Sequence, residues 1–261
     1  MSPLVVSVHQ PNFMPWLKLL DKILASDVYV AYDTVQYTKS EYHSRQKVKQ
    51  QSGPVWISVP VVSVRGAHQV IEDVRIDDRQ PFRQQHLNLL RKAYGRAPHF
   101  DEVYPLVRDV YARGHELLAD LNVDLIEAFC RYLGSAVRMV RASSLPHEGD
   151  NTARLVQLVR ETGGDVHLTS TFDTQRQYID WSRMQAAGIS VHKQIFEHPS
   201  YDQLWGDFFS HLSALDMLFC CGRQTGKVLE ADRQCVEAAA AETDTAAGGV
   251  DSQSRTSVGR G

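Results

Sequence analysis

The sequence predicts an α/β fold, a mixed or largely parallel sheet flanked by helices, and three observations carry that prediction. The first is a strand, tight loop, helix and strand in succession over residues 5–33, VVSVHQPNFMPWLKLLDKILASDVYVAYD. The second is an alternation of strand-like and helix-like segments beyond residue 134, which is how parallel-sheet units read. The third is a block at about 81–134 with helical periodicity and no strand signal, a helical insertion. One domain of residues 1–236 accounts for all three.

Each element follows from local chemistry. Residues 5–8 are a short apolar run of the kind buried in a sheet, and Pro11, which cannot donate to a ladder, stops the strand at His9 and Gln10. Pro15 suits a first helical turn, and Trp16, Leu20, Ile23 and Leu24 then recur at helical spacing. Val28, Val30 and Tyr32 alternate as a second strand. A polar stretch ends at the turn signal Ser52-Gly53-Pro54; residues 55–62 form a third strand and 70–76 a short fourth. Helices are expected from Pro81 to Gly95, from about 100 to 118 and from about 122 to 133, with Asn122 as an N-cap. Then come a strand at 137–140, a helix capped near Asp150-Asn151-Thr152 and stopped by Gly163-Gly164, a strand at 166–169, a helix at 175–187, a strand at 189–195 and a last helix at about 201–221. Beyond Leu229 there is no Leu, Ile or aromatic residue, so 237–261 is read as a disordered tail.

Composition narrows the function. In 261 residues, 43% hydrophobic and 23% charged content is ordinary for a globular chain, and a net charge of −3 gives no general attraction to DNA or anionic membranes. No apolar run approaches the ~18 residues that span a bilayer, and the start lacks a signal-peptide layout. Cys130, Cys220, Cys221 and Cys235 show neither CxxC spacing nor a disulfide framework, so a reducing, cytoplasmic setting is expected. Nothing resembles a metal quartet, a P-loop, a G-x-S-x-G elbow or a Rossmann fingerprint, and no residue pattern names a cofactor.

The candidate site follows from topology. A right-handed crossover between parallel strands brings His9, Gln10 and Asp33 to one C-terminal sheet edge, where open α/β sheets bind ligands. His9 is a candidate general base, with Gln10 and Asp33 to orient it. The plainer alternatives are a turn fixed by His9 and Gln10 and a strand ended by Asp33. Gln36 and Tyr37 just beyond are candidate substrate contacts. Arg45, Lys47 and Lys49 alternate, so an extended chain would present three cations to one phosphate-bearing group, unless they form a solvated basic edge. That run is too short and mixed to imply a nucleic-acid surface. Ser170 and Thr171 follow a strand and fall at the same edge. Asp216 shares a helical face with Leu212 and Phe219, so it is expected buried and ion-paired, with Arg45 or another N-terminal cation. Thr152 reads as a helix N-cap, and Cys221 as packing in preference to a nucleophile.

The blocks HQPNFMPWLKLLDKI, SDVYVAYDTVQYTKSEYHSRQKVK and GPVWISVPV, followed by DLN at 120–122, SSLPHEGDNTARLVQLV at 143–159, EHPSYDQL at 197–204 and LSALDMLFCCG at 212–222, resemble in order those of the WbqC-like protein family. The resemblance covers nearly all of residues 4–222. It implies surface-polysaccharide or natural-product pathways and transfer of a glycyl or similar acyl group to an amine. The chain departs from the family pattern at HSRQKVK (43–49), where Ser44 and Gln46 replace asparagines, in the glycine-free loop 169–173, and at Cys220. The expected activity is therefore acyl or aminoacyl transfer to a small-molecule amine, with a thioester and an aminoacyl-tRNA both open as donors. A nucleotidyltransferase-like enzyme is the alternative, lacking the H-x-G-H pattern, and a non-catalytic pathway partner is the third reading.

Overall fold

In the computed structural model, residues 2–39, 41–62, 68–170 and 179–237 are described. Six strands form a mostly parallel sheet: β1 (Val5–His9), β2 (Val28–Ala31), β5 (Arg138–Arg141), β6 (Val166–Thr169), β7 (Ser190–Ile195) and β8 (Gln234–Glu237), in the order β5-β2-β1-β6-β7-β8. Only β8 runs antiparallel to its neighbour. A separate hairpin pairs β3 (Arg45–Gln50) with β4 (Gly53–Ser58), turning at Gly53 with φ +105°, a conformation that favours glycine.

Alternation in β1 sorts its side chains between two cores. Val6 and Val8 join Val28 and Val30 under α5 (Asn151–Glu161) and α6 (Trp181–Ala186). Ser7 and His9 share the register and hence the face of Tyr29 and Ala31, which belong to the larger core. That second core gathers α1 (Leu17–Leu24), α2 (Phe82–Tyr94), α3 (Phe100–Ala112), α4 (Leu118–Tyr132), α7 (Ala214–Cys221), α8 (Gln224–Ala231) and the inner face of the hairpin. Gly164 lets α5 close onto β1: a Cβ there would run into the side chains of Val6 and Val159.

Several boundaries differ from the sequence expectation. The polar stretch before Ser52 contains β3, whose Gln46 and Val48 are buried. Residues 70–76 form no strand beyond isolated bridges around a 3₁₀ turn at Ile71–Asp73. Asn122 lies inside α4 and caps nothing; Asp150, not Thr152, caps α5 by accepting from the Ala153 N–H. The helix expected at 201–221 is only α7, followed by α8 and by β8, which takes in residue 237. The start of the helix expected at 175–187, the rest of the expected tail, and Thr171 lie outside the described residues.

Asp216 is fully buried, but its partners are hydroxyls: Tyr94 donates at 2.8 Å and Tyr201 at 2.9 Å. The cation beside it is Lys49, not Arg45, and Lys49 Nζ itself donates to Gln203 Oε1 (3.1 Å) and the Asp207 carbonyl (2.6 Å). Burial pushes the Asp216 carboxyl above its ordinary range despite those bonds. Asp216→Ala is expected to lower stability by about 2–4 kcal/mol, because the buried Tyr94 hydroxyl and the half-buried Tyr201 hydroxyl lose their acceptor. An unaltered denaturation midpoint would count against the network.

Candidate functional site

The C-terminal ends of β1 and β6 flank the point where the chain order reverses across the sheet, since β2 and β5 lie on one side of β1 and β6 and β7 on the other. Such switch points leave a crevice for ligands. His9 ends β1 there, and Thr169 ends β6.

The loop from Gln10 to Trp16 is pinned from several directions. Phe13 N–H donates to the Tyr42 carbonyl at 3.0 Å, Ser213 Oγ to the Met14 carbonyl at 2.9 Å, and Asn122 Nδ2 to the carbonyls of Pro11 (2.9 Å) and His43 (2.8 Å). Met14, fully buried, takes the strained φ of +42° that this loop requires. Asn122 is thus a clamp on the site loop.

His9 Nδ1 lies 2.9 Å from the Gln10 carbonyl. An imidazole there donates through Nδ1 and leaves Nε2 as the acceptor. Burial, then the positive charges of Lys22 and His43, hold His9 down at about 3, so it is neutral at physiological pH. Gln10 does not orient His9 through its side chain; its Oε1 accepts from His43 Nε2 at 2.8 Å, while His43 Nδ1 accepts from the Thr38 N–H at 3.3 Å. Burial also holds His43 down at about 4. Tyr37 supports this pair, its ring 5.6 Å from that of His43 and its hydroxyl 2.8 Å from Ser44 Oγ. Gln36 is exposed and bridges to Val70.

Asp33 reaches the same edge but turns elsewhere. Its fully buried carboxylate accepts from the Ser143 N–H (2.9 Å), Ser143 Oγ (2.8 Å) and Arg141 Nε, and Arg141 also pairs with Asp120. These bonds tie the ends of β2 and β5 together, and none of them goes to His9. Arg45 and Lys47 lie on the outer face of the hairpin against Trp56, at 4.4 and 5.0 Å from its ring centroid. Ser170 contributes its carbonyl, 3.5 Å from Lys18 Nζ.

The group that sequence reasoning missed is Lys22. It is 2% exposed, and among the described residues it has no carboxylate partner; its neighbour Asp21 is taken by Arg233 (2.9 Å) and Gln194 (2.6 Å). Helical side chains lean towards the N-terminus, so Lys22 leans up α1 towards Lys18 and the sheet edge. Its charge is felt at both His9 and His167. Burial, and then Lys18, bring its amine down to about 7. Among the described residues, the buried Ser7 Oγ and Gln194 Oε1 have no hydrogen-bond partner. All four cysteines are free; burial pushes the thiols of Cys220 and Cys130 up to about 12 and those of Cys221 and the exposed Cys235 above their usual range.

A mostly parallel sheet flanked by helices, with an imidazole held low and a buried lysine amine brought down near its switch point, defines an α/β domain with a candidate site at the sheet edge. The model of the WbqC-like protein family matches residues 10–228, and the chain belongs to that family. It is also similar to the "Uncharacterized protein Rv1507c" of Mycobacterium tuberculosis, with 30% identity over 231 residues, 88% of this chain and 99% of that one. Among the described residues no helix is long and apolar enough to cross a membrane.

Proposed function

We propose that this protein is a cytoplasmic transferase that moves an acyl or aminoacyl group, such as glycyl, onto the amine of a sugar or natural-product intermediate. The observation that carries the reading is the buried amine of Lys22 on α1, whose charge is felt at His9 on the C-terminal end of β1. An amine acceptor attacks only in its neutral form. A base near 7 is matched to taking a proton from an alkylammonium at physiological pH, whereas a group at about 3 is too weak to hold one. Lys22 therefore takes the proton, and His9 Nε2 accepts a hydrogen bond from the attacking N–H and orients it. Lys18, at the mouth of the crevice, faces the anionic part of donor or acceptor.

The test is a thermal-shift panel of acyl-CoAs, aminoacyl-tRNA, amino-sugar nucleotides and nucleoside triphosphates. Stabilisation by one of the first three is expected. Stabilisation by a nucleoside triphosphate alone would put nucleotidyl transfer in its place. His9→Ala is expected to cut transfer about a hundredfold, because an attacking amine left unoriented loses its near-attack geometry, with the melting temperature nearly unchanged. A large loss of stability instead would mark His9 as a turn-fixing residue.

A further inference from the structure

We infer that the outer face of the β3–β4 hairpin docks the single-stranded 3′ end of an RNA, which carries the acyl group to the crevice; this rests on the transfer reading above and names the donor. The basic run alone is too short for such a surface, and what changes the reading is the pair of exposed rings, Trp56 and Tyr42, that the fold sets beside it. Register puts Arg45, Lys47 and Lys49 on one face with Pro54, Trp56 and Ser58, and the opposite residues Gln46, Val48 and Ile57 in the interior. Trp56 is 43% exposed and Tyr42 38%, large apolar rings left in solvent with cations beside them. The Tyr42 and Trp56 centroids are 6.0 Å apart. Beyond Lys47, Lys49 is covered by Gln203 and Asp207, and its Nζ lies 5.4 Å from the ring of Phe209, which is again exposed beside Phe208. Lys49 itself is fully buried, so the open cationic strip runs from Arg45 to Lys47, about 7 Å at ~3.3 Å per residue. The chain's net charge of −3 makes this positive face a local feature.

Small ligands bind in concave sites that enclose most of their surface. This face is instead an open platform of rings interleaved with cations, which is how proteins hold unpaired nucleotides: bases stack on rings and phosphates meet Lys or Arg. A single strand fits because only unstacked bases can reach those rings. The platform also leads to the reacting groups. Ring contacts run from Trp56 to Tyr42, from Tyr42 to Trp16 at 4.9 Å, and from Trp16 to His9 at 6.0 Å. A strand laid along the hairpin thus ends at the crevice. There the acceptor amine attacks the ester carbonyl at the terminal ribose, the C–N bond forms, and the ester C–O bond breaks. The ribose oxygen leaves as a hydroxyl with one proton, so no further reactant is needed.

The test is fluorescence anisotropy of a fluorescein-labelled, unacylated single-stranded RNA octamer with the full chain. Binding is expected to weaken with salt. Trp56→Ala is expected to raise Kd about tenfold or more, and Lys47→Ala to reduce the slope of log K against log salt by about 0.7. Tyr42→Ala serves as the second variant if Trp56→Ala fails to fold. Unchanged binding in both aromatic variants, or equal binding of inorganic polyphosphate or phosphatidylserine vesicles, would overturn the proposal. Transfer from a free thioester without RNA binding would overturn the docking surface and leave acyl transfer standing. Trp56-dependent RNA binding in a protein inert with every acyl donor would uphold the surface and overturn the transfer reading.

Discussion

Lys22→Met is expected to abolish transfer and at the same time make the protein more stable. Methionine matches the length of the aliphatic stem and places no polar head at this buried position. Holding an amine at about 7 against its ordinary 10.5 costs on the order of 4–5 kcal/mol at 1.36 kcal/mol per pKa unit. Relaxation of the site reduces the recoverable part to about 1–4 kcal/mol, as when buried ionic groups are replaced by apolar ones. At about 2–4 °C per kcal/mol the melting temperature should rise by several degrees. The pH dependence is the sharper check. The unfolded amine keeps its proton up to 10.5 while the folded one releases it near 7, so wild-type stability gains from rising pH across that interval. Lys22→Met should remove this gain, read as the difference in urea midpoint between pH 7.5 and 9.5. Transfer by the wild type should rise tenfold per pH unit below pH 7 and then level. Reduced stability in the variant, or unimpaired transfer, would show that the amine is a structural partner and not a base.

What hid Lys22 from the sequence is instructive. Its helix shows a clean apolar stripe at Trp16, Leu20, Ile23 and Leu24, and a lysine off that stripe reads as solvated. Yet α8 packs on α1 from the far end of the chain and Arg233 beyond it pairs with Asp21, while Lys22 is buried as well. Periodicity identifies one buried face and is blind to a second layer laid over the other. The same limit applies to β3, whose RQKVKQ contains a single apolar residue and is held by pairing with β4, and to Asn122, whose partners lie 111 and 79 residues away. Local signals did suffice for the β1-α1-β2 unit. Pro11, Pro15 and the strand alternation placed His9 and Asp33 at one edge, though the partners of Asp33, Arg141 and Ser143, come from β5 and the turn after it. Edges are legible from order and handedness; hydrogen-bond partners across the sheet are not.

Acid is expected to unfold the protein well above the range where its carboxylates titrate. Burial holds His9 and His167 at about 3 and His43 and His86 at about 4, all below the ordinary 6.5. The unfolded chain takes up these four protons as pH falls through 6.5, whereas the folded chain refuses them until 3–4. Their stabilising contribution is thus complete above 6.5 and is lost as pH falls towards 4. Four protons correspond to a limiting slope of about 5 kcal/mol per pH unit, against a total stability of about 5–15 kcal/mol for an ordinary domain. Asp216 and Glu72, raised by burial, favour their protonated forms in the fold and offset part of this at the acid end. The melting temperature should therefore drop steeply between pH 6.5 and 4.5, with proton uptake on unfolding measurable by calorimetry in buffers of different ionisation enthalpy. His167→Phe, which keeps an aromatic ring beside Trp181 (6.3 Å) and removes the unpartnered Nδ1, should shallow the slope by one proton. A flat melting curve from pH 7 to 5 would mean that these rings reach water or a counter-charge in solution. The neutral His9 on which the proposed chemistry depends would then have to be abandoned with them.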